Sequence, residues 1–203
     1  MWKDISQRLR EGMDVWPGDE AFRRTPSMKQ SDGASVNTSV LHMSTHTGTH
    51  LDAPYHYSSR GRTIDQMDVN ELSGICRLIE LKNVPVISAS DLAAHGPFNE
   101  SIILFKTTDT VHSYDSFPVF SKEAVELLHS EGVRLLGTDA PSVDSLTSKD
   151  LPAHHACLQS DIYIVEGLRL ADAEPGFYEF MALPLLLEGS DGSPVRAVIR
   201  EVD

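Results

Sequence analysis

The stretch His46-Thr-Gly-Thr-His50-Leu-Asp52-Ala-Pro54-Tyr-His56 puts three histidines and one aspartate within eleven residues. All four fall at even positions, so an unbroken strand would point them to one face. Such a strand would still hold His46 and His50 roughly 13 Å apart, whereas ligands to one ion each approach to about 2 Å. The backbone must therefore fold between them. A helix would do this at a spacing of four, but Gly48 stands between two β-branched threonines, a poor helical sequence. A turn at Gly48 is the better reading, because glycine reaches positive φ without strain. Pro54 then opposes a helix and stiffens the segment after Asp52. Nitrogen and oxygen ligands without cysteine suit zinc, manganese or a similar borderline cation. The competing reading is a chance gathering of loop residues, which four ligand-type groups in eleven positions argue against.

A chain of 203 residues is expected to form one domain, 1–203, with a full core and no need of staples. With 17 basic and 30 acidic residues the formal net charge is −13. That balance repels phosphate backbones and anionic bilayers, so neither nucleic acid nor membrane is expected as a partner. Cys76 and Cys157 stand far apart in ordinary sequence, which points to a reducing compartment rather than a disulfide framework or a cysteine zinc site. The first residues carry no apolar leader-like run, and no apolar stretch approaches the roughly eighteen residues that cross a bilayer. A cytoplasmic protein is expected.

Along the chain, Pro17-Gly18 reads as a turn that fixes Trp16 just before it. Trp16 is then either an aromatic displayed for contact or ordinary core. Residues 21–35 read as a polar loop. Ser39–Thr45 alternates as a strand that delivers the histidine motif. His42 shares the parity of His46, but a strand histidine satisfied by a hydrogen bond is the simpler reading, and it is left outside the site. Ile64–Leu72 is a short amphipathic piece, Ile75–Leu81 a strand, Asp91–His95 a short helix or turn, and Ser101–Lys106 a buried strand. Residues 107–117 read as loop. Ser121 is a natural N-cap for a helix over Lys122–Ser130, with Val125, Leu127 and Leu128 as its buried face and Gly132 ending it. Val133–Gly137 is a further strand. In Asp161–Gly167, Glu166 shares a strand face with Ile162 and Ile164, so a carboxylate interrupts an apolar face and needs a partner unless it is a solvated strand end. These segments together give a mixed α/β chain.

Taken whole, the pattern His-x-Gly-Thr-His-x-Asp-x-Pro-x-His resembles the motif of the metal-dependent cyclase-like hydrolases. Trp2-Lys-Asp-Ile-Ser6, Val15-Trp-Pro-Gly-Asp19, Gly137-Thr-Asp-Ala-Pro-Ser-Val-Asp144, Leu151-Pro-Ala-His-His-Ala156 and Ser193-Pro-Val-Arg-Ala-Val198 are similar to the formamidase branch of that family, and nearly the whole chain is covered. The resemblance implies a swivelling β/β/α fold with a mixed, partly closed sheet and few helices. It implies hydrolysis of N-formyl-L-kynurenine to L-kynurenine and formate in tryptophan breakdown, with isatin or another cyclic or aryl amide as the alternative substrate. It assigns His46, His50 and Asp52 to one metal, His154 to another, and Asp52 with Glu166 to bridging, which a carboxylate's two oxygens allow. Five ligands exceed what one tetrahedral ion with an open position needs, so two divalent ions per chain are expected, zinc or else manganese.

His56 is then left to move protons, since an imidazole titrates near neutrality; its alternative role is a sixth ligand. By the same resemblance Trp16 contacts substrate, His155 is a supporting residue and the chain is a homodimer. A metal-binding module without catalysis would be favoured if the general base were missing. A structural metal site would use a closed set of four ligands, usually including cysteine, and both cysteines lie far from the motif.

Overall fold

In a computed structural model, which describes residues 1–202, the apolar and alternating segments become strands β1 (Lys3–Asp4), β2 (Arg23–Met28), β3 (Thr38–His42), β4 (His50–Asp52), β5 (Ser73–Glu80), β6 (Val86–Ile87), β7 (Ile102–Lys106), β8 (Val119–Phe120), β9 (Leu135–Thr138), β10 (Tyr163–Glu166), β11 (Gly176–Met181), β12 (Gly192–Pro194) and β13 (Val198–Glu201). The α-helices are α1 (Ala89–Ala93), α2 (Lys122–Ser130) and α3 (Pro152–Ser160). Nine strands form one mixed sheet in the order β1-β13-β11-β5-β7-β9-β10-β4-β12. Its centre is parallel, β5 to β7 to β9 to β10, and its flanks are antiparallel.

Chain connectivity forces this sheet to curl. β12 and β13 lie seven places apart in the strand order, a separation of roughly 34 Å if the sheet were flat. Only residues 195–197 join them, and four residue steps reach at most roughly 14 Å. The two edges must therefore approach each other. The residues after β1 close the seam: Ile5 N–H donates to Ala197 O at 3.0 Å and Arg169 N–H to Ile5 O at 2.7 Å, while Gln7 N–H donates to Thr49 Oγ1 at 2.8 Å.

Alternation along the strands sorts the core into two bodies. Leu51, Leu78, Leu104, Val165, Phe180 and Ile199 point to the inside of the curl. The opposite parity, with Ile79, Ile103, Phe105 and Ile164, packs beneath the helices against Leu92, Val125 and Leu128. β7 has helices over one face and the curl's interior on the other, which is why its five residues are buried without a break. α2 spans the expected residues, with Ser121 Oγ accepting from Ala124 N–H at 3.1 Å. Val125 and Leu128 are buried with Ala124, while Leu127 is only partly so.

Local detail departs from the sequence expectations or adds to them in four places. Residues 21–35 contain β2, which pairs with β3 in a separate two-stranded hairpin, so β3 leads to the histidine motif from outside the main sheet. Both strands are almost wholly exposed, which left β2 without an apolar alternation to reveal it. Ile64–Leu72, the short amphipathic piece, takes the form of two 3₁₀ turns. Pro54 does not prevent helical turning but begins a 3₁₀ turn over Pro54–His56, at the first position, where a missing N–H costs nothing. Residues 152–160 form α3, which has almost no apolar stripe of its own because it is buried on several sides.

The site is set by one register. β4 runs antiparallel to β10 with Asp52 opposite Ile164 and His50 opposite Glu166. His50, Asp52 and Glu166 therefore emerge on the helix-covered face, while Leu51 enters the interior core.

Candidate active site

Gly48 makes the turn that the histidine spacing requires, at φ +69°. A Cβ there would stand 2.8 Å from Leu9 Cδ2, so both the backbone angle and the packing call for glycine. The turn folds His46 back over His50, with ring centroids 5.0 Å apart. His46 in turn lies against Gly192, where a Cβ would meet its Cε1 at 2.9 Å. α3 supplies His154 from above. Its first residue follows Leu151 in the left-handed region at φ 42°, with no local side-chain cap. The cap comes from Asp144 instead, which accepts from Ala153 N–H at 3.1 Å and His154 N–H at 3.0 Å.

These elements converge on the carboxylates of Asp52 and Glu166. His46 Nδ1 is 2.9 Å and His50 Nε2 3.4 Å from Asp52 Oδ1. His154 Nε2 faces the other oxygen, Oδ2, at 3.4 Å. Glu166 repeats the arrangement, with Oε2 3.4 Å from His50 Nε2 and Oε1 3.7 Å from His154 Nε2. Asp52 is buried, yet neither of its oxygens accepts a hydrogen bond. The imidazoles attract it closely but off the N–H axis. Such an orphaned buried carboxylate is costly unless a cation completes it.

The outer nitrogen of each imidazole is held. His50 Nδ1 lies 2.9 Å from Gly48 O, His154 Nδ1 2.8 Å from Asp144 Oδ2, and His46 Nε2 3.1 Å from Asp191 Oδ2. Partners of this kind orient a ligating ring and raise its basicity. Burial alone would lower the pKa of His46, but contacts to Asp191 and Asp52 outweigh it and raise it to about 9. Burial is likewise overcome for His50 by Asp52 and Glu166, giving about 10. For His154 it is overcome by Asp144 and Asp52, again giving about 10. Burial would raise Asp52, but His154, His46 and His50 hold it well below the usual carboxylate range.

His56 stands apart from this group chemically. The 3₁₀ turn over Pro54–His56 lays its ring over His46 at 4.0 Å between centroids, with Nδ1 3.9 Å from Asp191 Oδ2. Its side chain keeps 37% exposure where His50 keeps 6%. Burial, with His46 and His154 adding to it, pushes its pKa below 6.5 despite Asp52 and Glu166. Ligand-type atoms of His46, Asp52 and His56 lie within 4.8 Å of one another, as do those of His50, Asp52 and Glu166.

A cavity of about 270 Å³ opens onto these residues, with Trp16, Asp19 and Tyr114 on its far wall. The Pro17-Gly18 turn is present, closed by Asp19 N–H to Trp16 O at 2.9 Å. Trp16 is half-buried, edge-on to Tyr114 at 5.8 Å between centroids and 6.3 Å from Phe117. His42 is exposed beside Glu20, away from the site. His155 is exposed on the outer side of α3, edge-on to Tyr57.

All seven predicted site residues thus line one cavity or its immediate floor. The sequence reading missed Asp191, Tyr114 and the orienting role of Asp144. Asp191 stands in a plain Gly189-Ser-Asp-Gly192 turn with no local signal, whereas Asp144 closes a segment already noted for its resemblance.

Residues 3–145 match the family model described as "Putative cyclase". The chain is 43% identical over 204 residues to a kynurenine formamidase of Geobacillus thermodenitrificans, covering 99% of this chain and 98% of the relative. A solved structure described as a potential metal-dependent hydrolase with cyclase activity superposes with a TM-score of 0.86 at 30% identity, covering 100% of this chain and 99% of that one. Isatin hydrolase A from Labrenzia aggregata has the same fold, with a TM-score of 0.86 at 22% identity, covering 98% of this chain and 93% of that one. The chain belongs to the cyclase family, alongside the bacterial kynurenine formamidases.

Proposed function

We propose that this chain is a metal-dependent arylformamidase that hydrolyses N-formyl-L-kynurenine to L-kynurenine and formate in tryptophan breakdown. The observation that carries this reading is the buried Asp52 carboxylate, free of hydrogen bonds and facing imidazoles from each oxygen separately. The donor set fits two divalent ions. His46 Nδ1, His50 Nε2, Asp52 Oδ1 and Glu166 Oε2 would hold one, and His154 Nε2, Asp52 Oδ2 and Glu166 Oε1 the other. Imidazole and carboxylate ligands point to zinc, with manganese as the alternative. Such ions, when bound, polarise a carbonyl and lower the pKa of a water.

The remaining chemistry falls to the chain's own side chains. His56, its pKa held below 6.5, is neutral at pH 7 and can accept a proton. Its Nδ1 faces Asp191, which leaves Nε2 for the exchange. The imidazole takes a proton from the water that attacks the formyl carbon. It returns that proton to the aniline nitrogen as the C–N bond breaks, so a neutral arylamine and formic acid form, and the acid gives up its proton to solvent and leaves as formate. Trp16 offers an indole on which the aniline ring can stack, steadied by its edge-on contact with Tyr114. Leu146 and Leu151 add apolar wall that keeps bulk water from the reacting bond.

The enzyme is proposed to act as one domain, 1–203, in a cytoplasmic homodimer without nucleic-acid or membrane partners. Supporting this are the net charge of −13 and two buried free cysteines. Val40 and Leu41 are exposed on opposite faces of the β2–β3 hairpin, apolar side chains that a second subunit would cover. Among the described residues no helix is long and apolar enough to cross a membrane. Turnover of N-formyl-L-kynurenine and of isatin, measured side by side with metal-free controls, tests the function. Metal-dependent formate release is expected, and a clear preference for isatin would replace the formamidase reading with the other hydrolase activity.

A further inference from the structure

A second cavity, of about 450 Å³, adjoins the first and shares Gln7, Tyr114 and Pro141 with it. Three arginines line it, Arg8, Arg10 and Arg169. In a chain with 30 acidic and 17 basic residues, such a gathering is out of keeping with the surface as a whole. Arg23, Arg62, Arg196 and Arg200 each pair with a carboxylate. Among the described residues the three cavity arginines enter no ion pair, although two acids share their cavity. One of these acids, Asp139, is buried and already accepts from Thr107 N–H at 2.8 Å and Thr108 N–H at 3.1 Å. The other, Asp14, is exposed at the rim. Three free guanidiniums and one free carboxylate thus face a single space.

The first cavity is lined by the candidate metal ligands His46, His50, His154 and Glu166 and by no arginine or lysine, so it offers no guanidinium or ammonium to an amino-acid carboxylate. At about 270 Å³ it also falls short of the roughly 300–1,000 Å³ that drug-sized ligands occupy. A substrate larger than a bare aryl formamide must extend beyond it, past Tyr114.

We propose that the Arg8, Arg10 and Arg169 cavity is the subsite for an α-amino-acid head on the substrate, with the guanidiniums taking its carboxylate and Asp14 its ammonium. This rests on the formamidase reading and adds to it a preference for aryl formamides that carry an anionic tail. Guanidinium forks match a carboxylate's geometry.

The test is the double variant Arg10→Gln/Arg169→Gln, whose exposed positions spare the core. It is assayed on N-formyl-L-kynurenine and on 2′-formamidoacetophenone, which has the same reacting bond and no amino-acid head. Calorimetry measures binding of L-kynurenine, 2-aminoacetophenone and formate. For N-formyl-L-kynurenine the variant should raise KM about tenfold, the lower range for charge-assisted hydrogen bonds at exposed groups, with kcat within about twofold. L-Kynurenine should bind about tenfold more weakly, and the headless pair should be unaffected. Equal losses on both formamides, or no change on either, would overturn the subsite. So would weakened binding of formate alone, which would make the cavity an exit for the released acid. If the unaltered enzyme hydrolyses neither formamide, the formamidase reading itself fails and this inference with it. Turnover of both with a silent double variant sinks the subsite alone.

Discussion

Adding divalent metal to the stripped protein at pH 7 should release about three protons per chain. Without metal, His46 titrates near 9 and His50 and His154 near 10, so at pH 7 each is about 99% or more protonated, at tenfold per pH unit. Those three protons offset part of the charge of the four carboxylates, Asp52, Glu166, Asp144 and Asp191, that surround the rings. An imidazole must be neutral to bind an ion, and all three have to give up a proton. Isothermal calorimetry in buffers of different ionisation enthalpy reads this number directly. Between pH 6.5 and about 9 the overall affinity should then rise by about 10³-fold per pH unit, one decade for each proton. The same groups set the stability of the stripped protein. Their folded pKa values lie above the ordinary 6.5, so their stabilising effect is full below about pH 6.5 and is lost as pH climbs through 9 to 10. The melting temperature without metal should fall across that window. Release of no protons at pH 7, with a flat pH dependence of affinity, would refute the assignment of these three rings as ligands.

His56→Ala should keep its metal and lose about 10²-fold or more in turnover, the scale of general acid-base groups; metal loss measured by elemental analysis would make His56 a ligand. Trp16→Ala should load metal normally and lose roughly 1–3 kcal/mol of stacking and burial, or about 5- to 150-fold in kcat/KM, with a much smaller defect on a ringless formamide. Equal losses on both substrates, or unfolding, would assign Trp16 to the core. Asp144→Asn removes the charge that holds His154 Nδ1 at 2.8 Å, and metal affinity should drop about 10- to 100-fold, as read by competition with a chromophoric chelator. An unchanged affinity would mean that α3 alone fixes the ring.

What the sequence disclosed follows from how locally each feature is determined. The turn at Gly48 could be deduced because His46 and His50 cannot meet across an extended chain, and the glycine has the required positive φ. α2 could be bounded at both ends because Ser121 caps its start from three residues away in the chain and Gly132, at φ +89°, follows its end. Glu166 stood out as a carboxylate on an apolar strand face, but the resemblance was needed to set it apart from a solvated strand end; across the sheet it stands opposite His50. By contrast, α3 has its cap in Asp144, several residues away and across a loop, so no local pattern announced it. Asp191 reaches His46 over 145 positions of sequence, and only the pairing of β12 with β4 brings it there. The hairpin of β2 and β3 was half seen, because exposed strands lack the apolar alternation that periodicity detects.

Under the proposed function, formamide hydrolysis depends on two ions held by Asp52 and Glu166 between His46, His50 and His154. The most direct test of this dependence is a titration of stripped protein with zinc, following bound metal by elemental analysis and N-formyl-L-kynurenine turnover in the same samples. Activity should climb to its plateau as the second ion per chain binds. A plateau reached with one ion per chain, or full turnover in the stripped protein, would contradict it.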